Sequence, residues 1–191
     1  MPHAKIAIAV AQHQALLDPF FLSRQESLEE FAGHLATTFQ RGGRLFLIGS
    51  GPFAALAGLL GQQFLHRQTL ERPALPAVAL THDAGLAGFL ATDDLASQLF
   101  SRQLRALAGD QDSVLLLGGP FLTPNEREAL TTAGQIGCST ALICSDRTEL
   151  PDPLPERLLQ LPTDSLPRLL EGSLFAGQLL CALVEGELFG I

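Results

Sequence analysis

From Gly42 to Phe64 the chain reads GGRLFLIGSGPFAALAGLLGQQF, an apolar run that empties through Gly49-Ser50-Gly51 into a long helical pattern. A run with no polar face has to be covered on both sides, which is the mark of a buried strand in a parallel sheet. The small turn after it then opens a helix. That arrangement aims unpaired backbone N–H groups and the positive end of a helix dipole at one spot, where a phosphate or other anion is stabilised. Gly49, Ser50 and Gly51 are therefore the first candidate ligand-binding residues.

The same alternation continues along the chain. Leu45 to Ile48, Ala77 to Leu80, Val114 to Leu117, Thr140 to Ile143 and Leu158 to Leu161 read as short buried strands. Helical periodicity fills Pro52 to His66, Asp94 to Leu107, Pro124 to Ile136 and about Ser165 to Phe189. Right-handed crossovers assemble these pieces into an α/β fold, a doubly wound five-stranded parallel sheet of flavodoxin-like type. Two helical stretches precede it, about Ala4 to Leu17 and Ser23 to Phe39, the second with Ser23 and Glu26 at capping-box spacing and Gly42-Gly43 at its end. The apolar residues of this opening pair, among them Ile6, Val10, Leu17, Phe20, Phe31 and Phe39, exceed what a monomer's surface should show. The expectation is one domain over 1–191, with helices in 1–41 used for oligomerisation and an α/β core and closing helix in 42–191, assembled as a homodimer or homotetramer. The Pro-rich stretches Arg72 to Pro76 and Leu150 to Pro155 are too short to be linkers.

Composition narrows the partners. A formal charge of −8 with only 12 Lys and Arg argues against direct contact with nucleic acid or an anionic membrane. Twelve Phe with no Trp or Tyr supply core filler but little to stack on a sugar ring or base. Cys138, Cys144 and Cys181 lie in or beside apolar runs, without CxxC spacing, and read as reduced core thiols of a cytoplasmic protein. The apolar segment Ile6 to Ala11 is too short for a signal-peptide core, and Gly172 to Val184 falls short of the about 20 apolar residues a spanning helix needs.

With these elements placed, the chain resembles the sugar isomerase (SIS) domain family, in the branch that holds bacterial phosphoheptose isomerases and the DnaA initiator-associating protein. The resemblance covers nearly the whole sequence. It rests on GGRLFLIGSGPFAA, ERPALPAVALTHD, TDDLASQLFSRQLRALAGD, TPNEREAL and RLLEGSLFAGQLLCALVEGELF, five segments in the family's order and spacing. It implies a phosphosugar ligand, and a first turn, usually Gly-x-Gly-Gly-Ser, whose serine contacts the sugar phosphate. Here Gly49-Ser50-Gly51 survives while Pro52 and Phe53 occupy the last two places. The family's second phosphate loop, typically Ser-Thr-Ser-Gly-Asn-Ser, is replaced by the shorter Gly118-Gly119-Pro120-Phe121-Leu122-Thr123, in which only Thr123 matches a hydroxyl position. Thr123-Pro124-Asn125-Glu126 is also a good helix start in its own right.

Phosphoheptose isomerases resemble one another in a His and a Glu on the helix after the first turn and a Gln and a His on the last helix, which hold zinc and move the proton. The aligned positions here are Leu59, Gln63, Leu170 and Gln178. Leucines coordinate no metal and neutral amides are not general bases near neutral pH, so neither a metal site nor a cofactor is expected. Gln63 and Gln178 sit on apolar helix stripes and should point inward, either as hydrogen-bonded core amides or as the lining of a relict pocket. Asp83 and Asp93 match substrate-hydroxyl contacts implied by the resemblance, with a helix N-cap the alternative, and favoured, role of Asp93. His82 reads as a solvated loop residue, His66 as a helix-end residue, and Glu171 as a carboxylate bonded to a loop or a neighbouring chain. The resulting expectation is a degenerate, non-catalytic binding or regulatory protein resembling the initiator-associating branch, with a phosphosugar or a protein as partner. The alternative is an active sugar-phosphate aldose–ketose isomerase whose acid–base work has moved to His82, Asp83, Asp93 or Glu171.

Overall fold

Five short strands pair in parallel in the computed structural model, which describes residues 2–68, 71–80 and 83–190. They are β1 (Leu45–Gly49), β2 (Ala77–Ala79), β3 (Ser113–Leu117), β4 (Ser139–Ser145) and β5 (Arg157–Leu161), in the spatial order β2-β1-β3-β4-β5. Helices α1 (Pro2–Leu22) and α2 (Gln25–Gln40) come before the sheet, α3 (Pro52–Leu65), α4 (Ala84–Thr92), α5 (Leu99–Leu107) and α6 (Pro124–Ile136) fall between strands, and α7 (Leu166–Phe189) closes the chain.

Successive strand residues feed opposite faces of the sheet. Leu45 and Leu47 join Leu115 and Leu117 in a core with α2, α3 and α7, while Phe46 and Ile48 join Val114 and Leu116 in a second core with α5 and α6. Every residue of β1 and β3 is buried, which is why those segments carry no polar alternation. Helix α7 passes a length-and-apolarity test for a membrane span, yet half of its most apolar window is buried inside the fold. It packs against α2 and α3 as a core helix.

Several local expectations hold and two need correcting. Helix α6 begins at Pro124 behind an N-cap Thr123 with Glu126 at the third position, and it ends at Gly137 with φ 95°. The Ser23–Glu26 capping box does not form: Arg24 is the N-cap of α2 without a side-chain bond, and Ser23 Oγ instead donates to the Phe20 carbonyl at the end of α1. The connection is so short that Ser23 belongs to the preceding helix. Asp93 is likewise not a helix N-cap. An unexpected helix, α4, precedes it, and Asp93 is that helix's C-cap, with Asp94 at φ 57° turning the chain away. Sequence periodicity missed α4 because AGLAGFLAT is apolar on every side and only Leu90 is buried.

All three cysteines are free and buried. Burial pushes the Cys138 and Cys144 thiols up to about 11, and burial followed by the Glu185 charge pushes Cys181 up to about 12. They remain protonated and unreactive near neutral pH.

Candidate functional site

The order β2-β1-β3 places the reversal of winding between β1 and β3, and in open parallel sheets the crevice beyond the carboxyl ends at that reversal is where ligands bind. Two loops meet there, the turn from Gly49 to Phe53 and the loop from Gly118 to Thr123. Between them lies a cleft of about 320 Å³ lined by Ser50, Phe53, Phe121, Thr123, Glu126 and Leu166, among others. The turn depends on two glycines. A Cβ on Gly49 would stand 2.5 Å from the Phe53 carbonyl oxygen, and Gly51 adopts φ 56°, ψ −128°, a region closed to other residues.

Ser50 and Thr123, the two hydroxyl residues singled out by sequence, are brought together here, with Oγ atoms 3.5 Å apart. What joins them was not foreseen. Glu126, only 2% exposed, accepts the Ser50 N–H at 3.2 Å on one oxygen, and on the other the Thr123 N–H at 2.7 Å and Thr123 Oγ–H at 2.8 Å. Thr123 Oγ also contacts Asn125 Oδ1. The helix-cap and site-wall roles of Thr123 are thus compatible. The Thr-x-x-Glu pattern marked Glu126 as a cap; nothing local in sequence marked its reach to Ser50.

Asp83 stands exposed past the carboxyl end of β2, where its Oδ1 accepts the Leu86 N–H at 2.7 Å and caps α4. Asp93 is exposed at the other end of α4. Neither lines the cleft, and His82 lies outside the described residues.

The four positions aligned with the family's zinc and proton-transfer residues are not a uniform apolar plug. Leu59 is 41% exposed rather than filling the interior, because α3 turns that side away from the sheet. Gln63 is half-buried, and its side-chain oxygen is sealed from solvent with no hydrogen-bond partner, so it is not the satisfied core amide expected. Leu170 and Gln178 are half-buried, and the Gln178 carbonyl accepts a bond from Gln68 Nε2. Two hydrocarbons and two amides do not fit zinc, and among the described residues no three His, Cys, Asp or Glu side chains cluster as a metal would require.

Within its own chain Glu171 bonds not to a loop but to helices: it accepts from His13 Nδ1 of α1 at 2.8 Å and from Arg168 at 2.7 Å within α7. This cluster borders a larger cleft of about 910 Å³ between α1, α2 and α7, whose walls include Leu17, Phe21, Phe175 and Leu183. Its polar lining consists of His13, Gln14, Asp18, Gln25 and Glu29. The cleft belongs to a helical face where Ile6 and Val10 are 63% and 50% exposed.

Known proteins place this geometry. No family model matches the chain. It is 33% identical over 187 residues to a phosphoheptose isomerase of Trichlorobacter lovleyi, covering 97% of this chain and 95% of the relative, and 34% identical over 184 residues to one from Solidesulfovibrio magneticus, covering 96% and 90%. Among solved structures, a phosphoheptose isomerase from Francisella tularensis superposes with TM-score 0.84 at 19% identity over 95% of each chain. One from Neisseria gonorrhoeae gives 0.82 at 19% identity over 97% of this chain and 100% of its own. At that identity the structures establish the fold, and it is the expected one.

These relatives overturn the expectation of a non-catalytic regulatory protein. That expectation was built on four positions, whereas proteins similar over nearly the entire length carry the name of an isomerase. Replacing one set of ionisable groups removes one arrangement of the chemistry. It does not remove the reaction class.

Proposed function

Since the chain belongs to the phosphoheptose isomerase family, we propose that it interconverts the aldose and ketose forms of a phosphorylated sugar at the cleft between β1 and β3. The observation that carries this reading is the near full-length similarity to relatives of that name. The geometry supports it. Helices α3 and α6 both point their N-termini into one cleft, where Ser50, Gly51 and Thr123 would offer backbone and hydroxyl donors to a phosphate and Gly49 shapes the turn behind them. Phe53, Phe121 and Leu166 supply apolar walls beside it.

Aldose–ketose isomerisation takes a proton from the carbon next to the carbonyl and delivers one to the former carbonyl carbon, while the neighbouring hydroxyl proton passes in the same direction to the carbonyl oxygen. With no zinc ligands at the aligned positions, this chain's own carboxylates carry the proton. We assign that work to Asp83, which does not line the phosphate cleft but stands exposed at the carboxyl edge of the sheet one strand away, where the far carbons of a sugar anchored by its phosphate would lie, neighbouring strands being only about 5 Å apart. Asp83→Asn is expected to keep the fold, since Asn caps a helix as well as Asp, and to lower kcat about 100-fold with KM little changed. Unaltered turnover in this variant removes Asp83 from the reaction.

The direct test of the function is turnover of sedoheptulose 7-phosphate, followed by NMR as conversion between ketose and aldose. Exhaustive chelation is expected to leave the rate unchanged, because the donor set does not fit zinc. Absence of turnover above background with any heptose phosphate refutes the reading.

The exposed apolar face of α1 and the adjoining cleft support assembly as a homodimer or homotetramer through the terminal helices. Val10→Glu is expected to shift the protein to a smaller species in light scattering without changing its helix content. A cytoplasmic location fits the same reading.

A further inference from the structure

We infer that Glu126 is a built-in anion that closes the cleft to free phosphate and restricts it to phosphorylated ligands large enough to make further contacts. This inference rests on the reading of the cleft as a phosphosugar site. A carboxylate carries the same sign of charge as a phosphate and seeks the same donors. Here it holds the Ser50 N–H, the Thr123 N–H and the Thr123 hydroxyl. An incoming phosphate meets donors already taken and a like charge within a few ångströms, in a setting where burial leaves that charge poorly screened.

Helix capping alone does not account for the arrangement. A glutamate at the third position of a helix needs only to reach back to its own N-cap, which Glu126 does at Thr123. Its second oxygen crosses instead to Ser50, 76 residues away in the turn that opens another helix. The side chain thereby ties the two loops that form the cleft. For a ligand to enter, Glu126 swings off Ser50, and the affinity of any ligand falls by the fraction of molecules in that open state. Inorganic phosphate, with only the donors themselves to gain, is rejected. A sugar phosphate adds contacts along the cleft and offsets the displacement.

The test is a titration of the whole protein with inorganic phosphate, followed at the amide resonances of Ser50 and Thr123, in the wild type, Glu126→Gln and Glu126→Ala. Glutamine keeps the helix cap and removes the charge. The expected result is that Glu126→Gln binds phosphate about fivefold or more tightly than the wild type, with both amides shifting on saturation. If Glu126→Gln fails to fold, Glu126→Ala gives the same comparison. An affinity gain below fivefold, tight phosphate binding by the wild type, or no binding by a folded variant each overturns the inference. No turnover is needed for this measurement, so a failed isomerase assay leaves it standing, and an active enzyme with unchanged phosphate affinity sinks the gate while sparing the function.

Discussion

Replacing Arg72 by methionine is expected to destabilise the fold by about 3–5 kcal/mol, measured by chemical denaturation, because it strands a buried carboxylate. Arg72 and Glu185 have side chains only 1% and 6% exposed, with Nε 2.7 Å from the carboxylate oxygen. The guanidinium also donates to the Phe64 and Gln63 carbonyls at 2.8 Å and 2.9 Å, two acceptors in the last turn of α3 with no partner inside their own helix. One cation thus pins α3 to α7. The double variant Arg72→Met/Glu185→Leu should recover about half of the loss: the uncompensated charge is gone, but the Gln63 carbonyl loses its Arg72 donor and the Phe64 carbonyl keeps only the Leu75 N–H at 3.2 Å. A single-variant cost below about 1 kcal/mol would mean that water reaches this pair.

Gly49→Ala is the second large effect, at about 3 kcal/mol. The new methyl group would stand 2.5 Å from the Phe53 carbonyl oxygen and 2.7 Å from its carbon, both backbone atoms of the first turn of α3. Relief requires the helix to move away from β1, and the cleft walls Ser50 and Phe53 move with it. Catalysis is therefore lost along with stability. Gly33→Ala in α2 is the matched control, because nothing lies within 4 Å of its Cβ position and the exchange favours a helix by about 0.5–1 kcal/mol. Equal effects at the two sites would deny the close approach its importance.

How much of this was legible beforehand differs from element to element. The segments Leu45 to Ile48 and Val114 to Leu117 announced themselves, since a strand buried on both faces must be apolar throughout. Thr123 to Glu126 announced a helix start because capping is satisfied within four residues. Ser23 misled because the same local pattern fell where a preceding helix had already claimed the residue. Helix α4 stayed hidden because an apolar stretch without a polar face has no period to read. At the site, the sequence named Ser50 and Thr123, and the structure joined them through Glu126. The functional expectation drawn from Leu59, Gln63, Leu170 and Gln178 failed for a related reason. Four positions report one constellation, and chemistry is free to use others along the same edge of the sheet.

By itself the sequence determined the five strands and their order, the helices other than α4, the parallel sheet, and the turn at Gly49 to Gly51, because each follows from burial or backbone freedom over a handful of adjacent residues. Only the tertiary structure decided that Glu126 crosses to Ser50, that Arg72 meets Glu185, and that His13 meets Glu171, at separations of 76, 113 and 158 residues. Such pairings depend on where packing brings a charged group to rest, and a polar side chain carries no local mark of the partner that burial will oblige it to find.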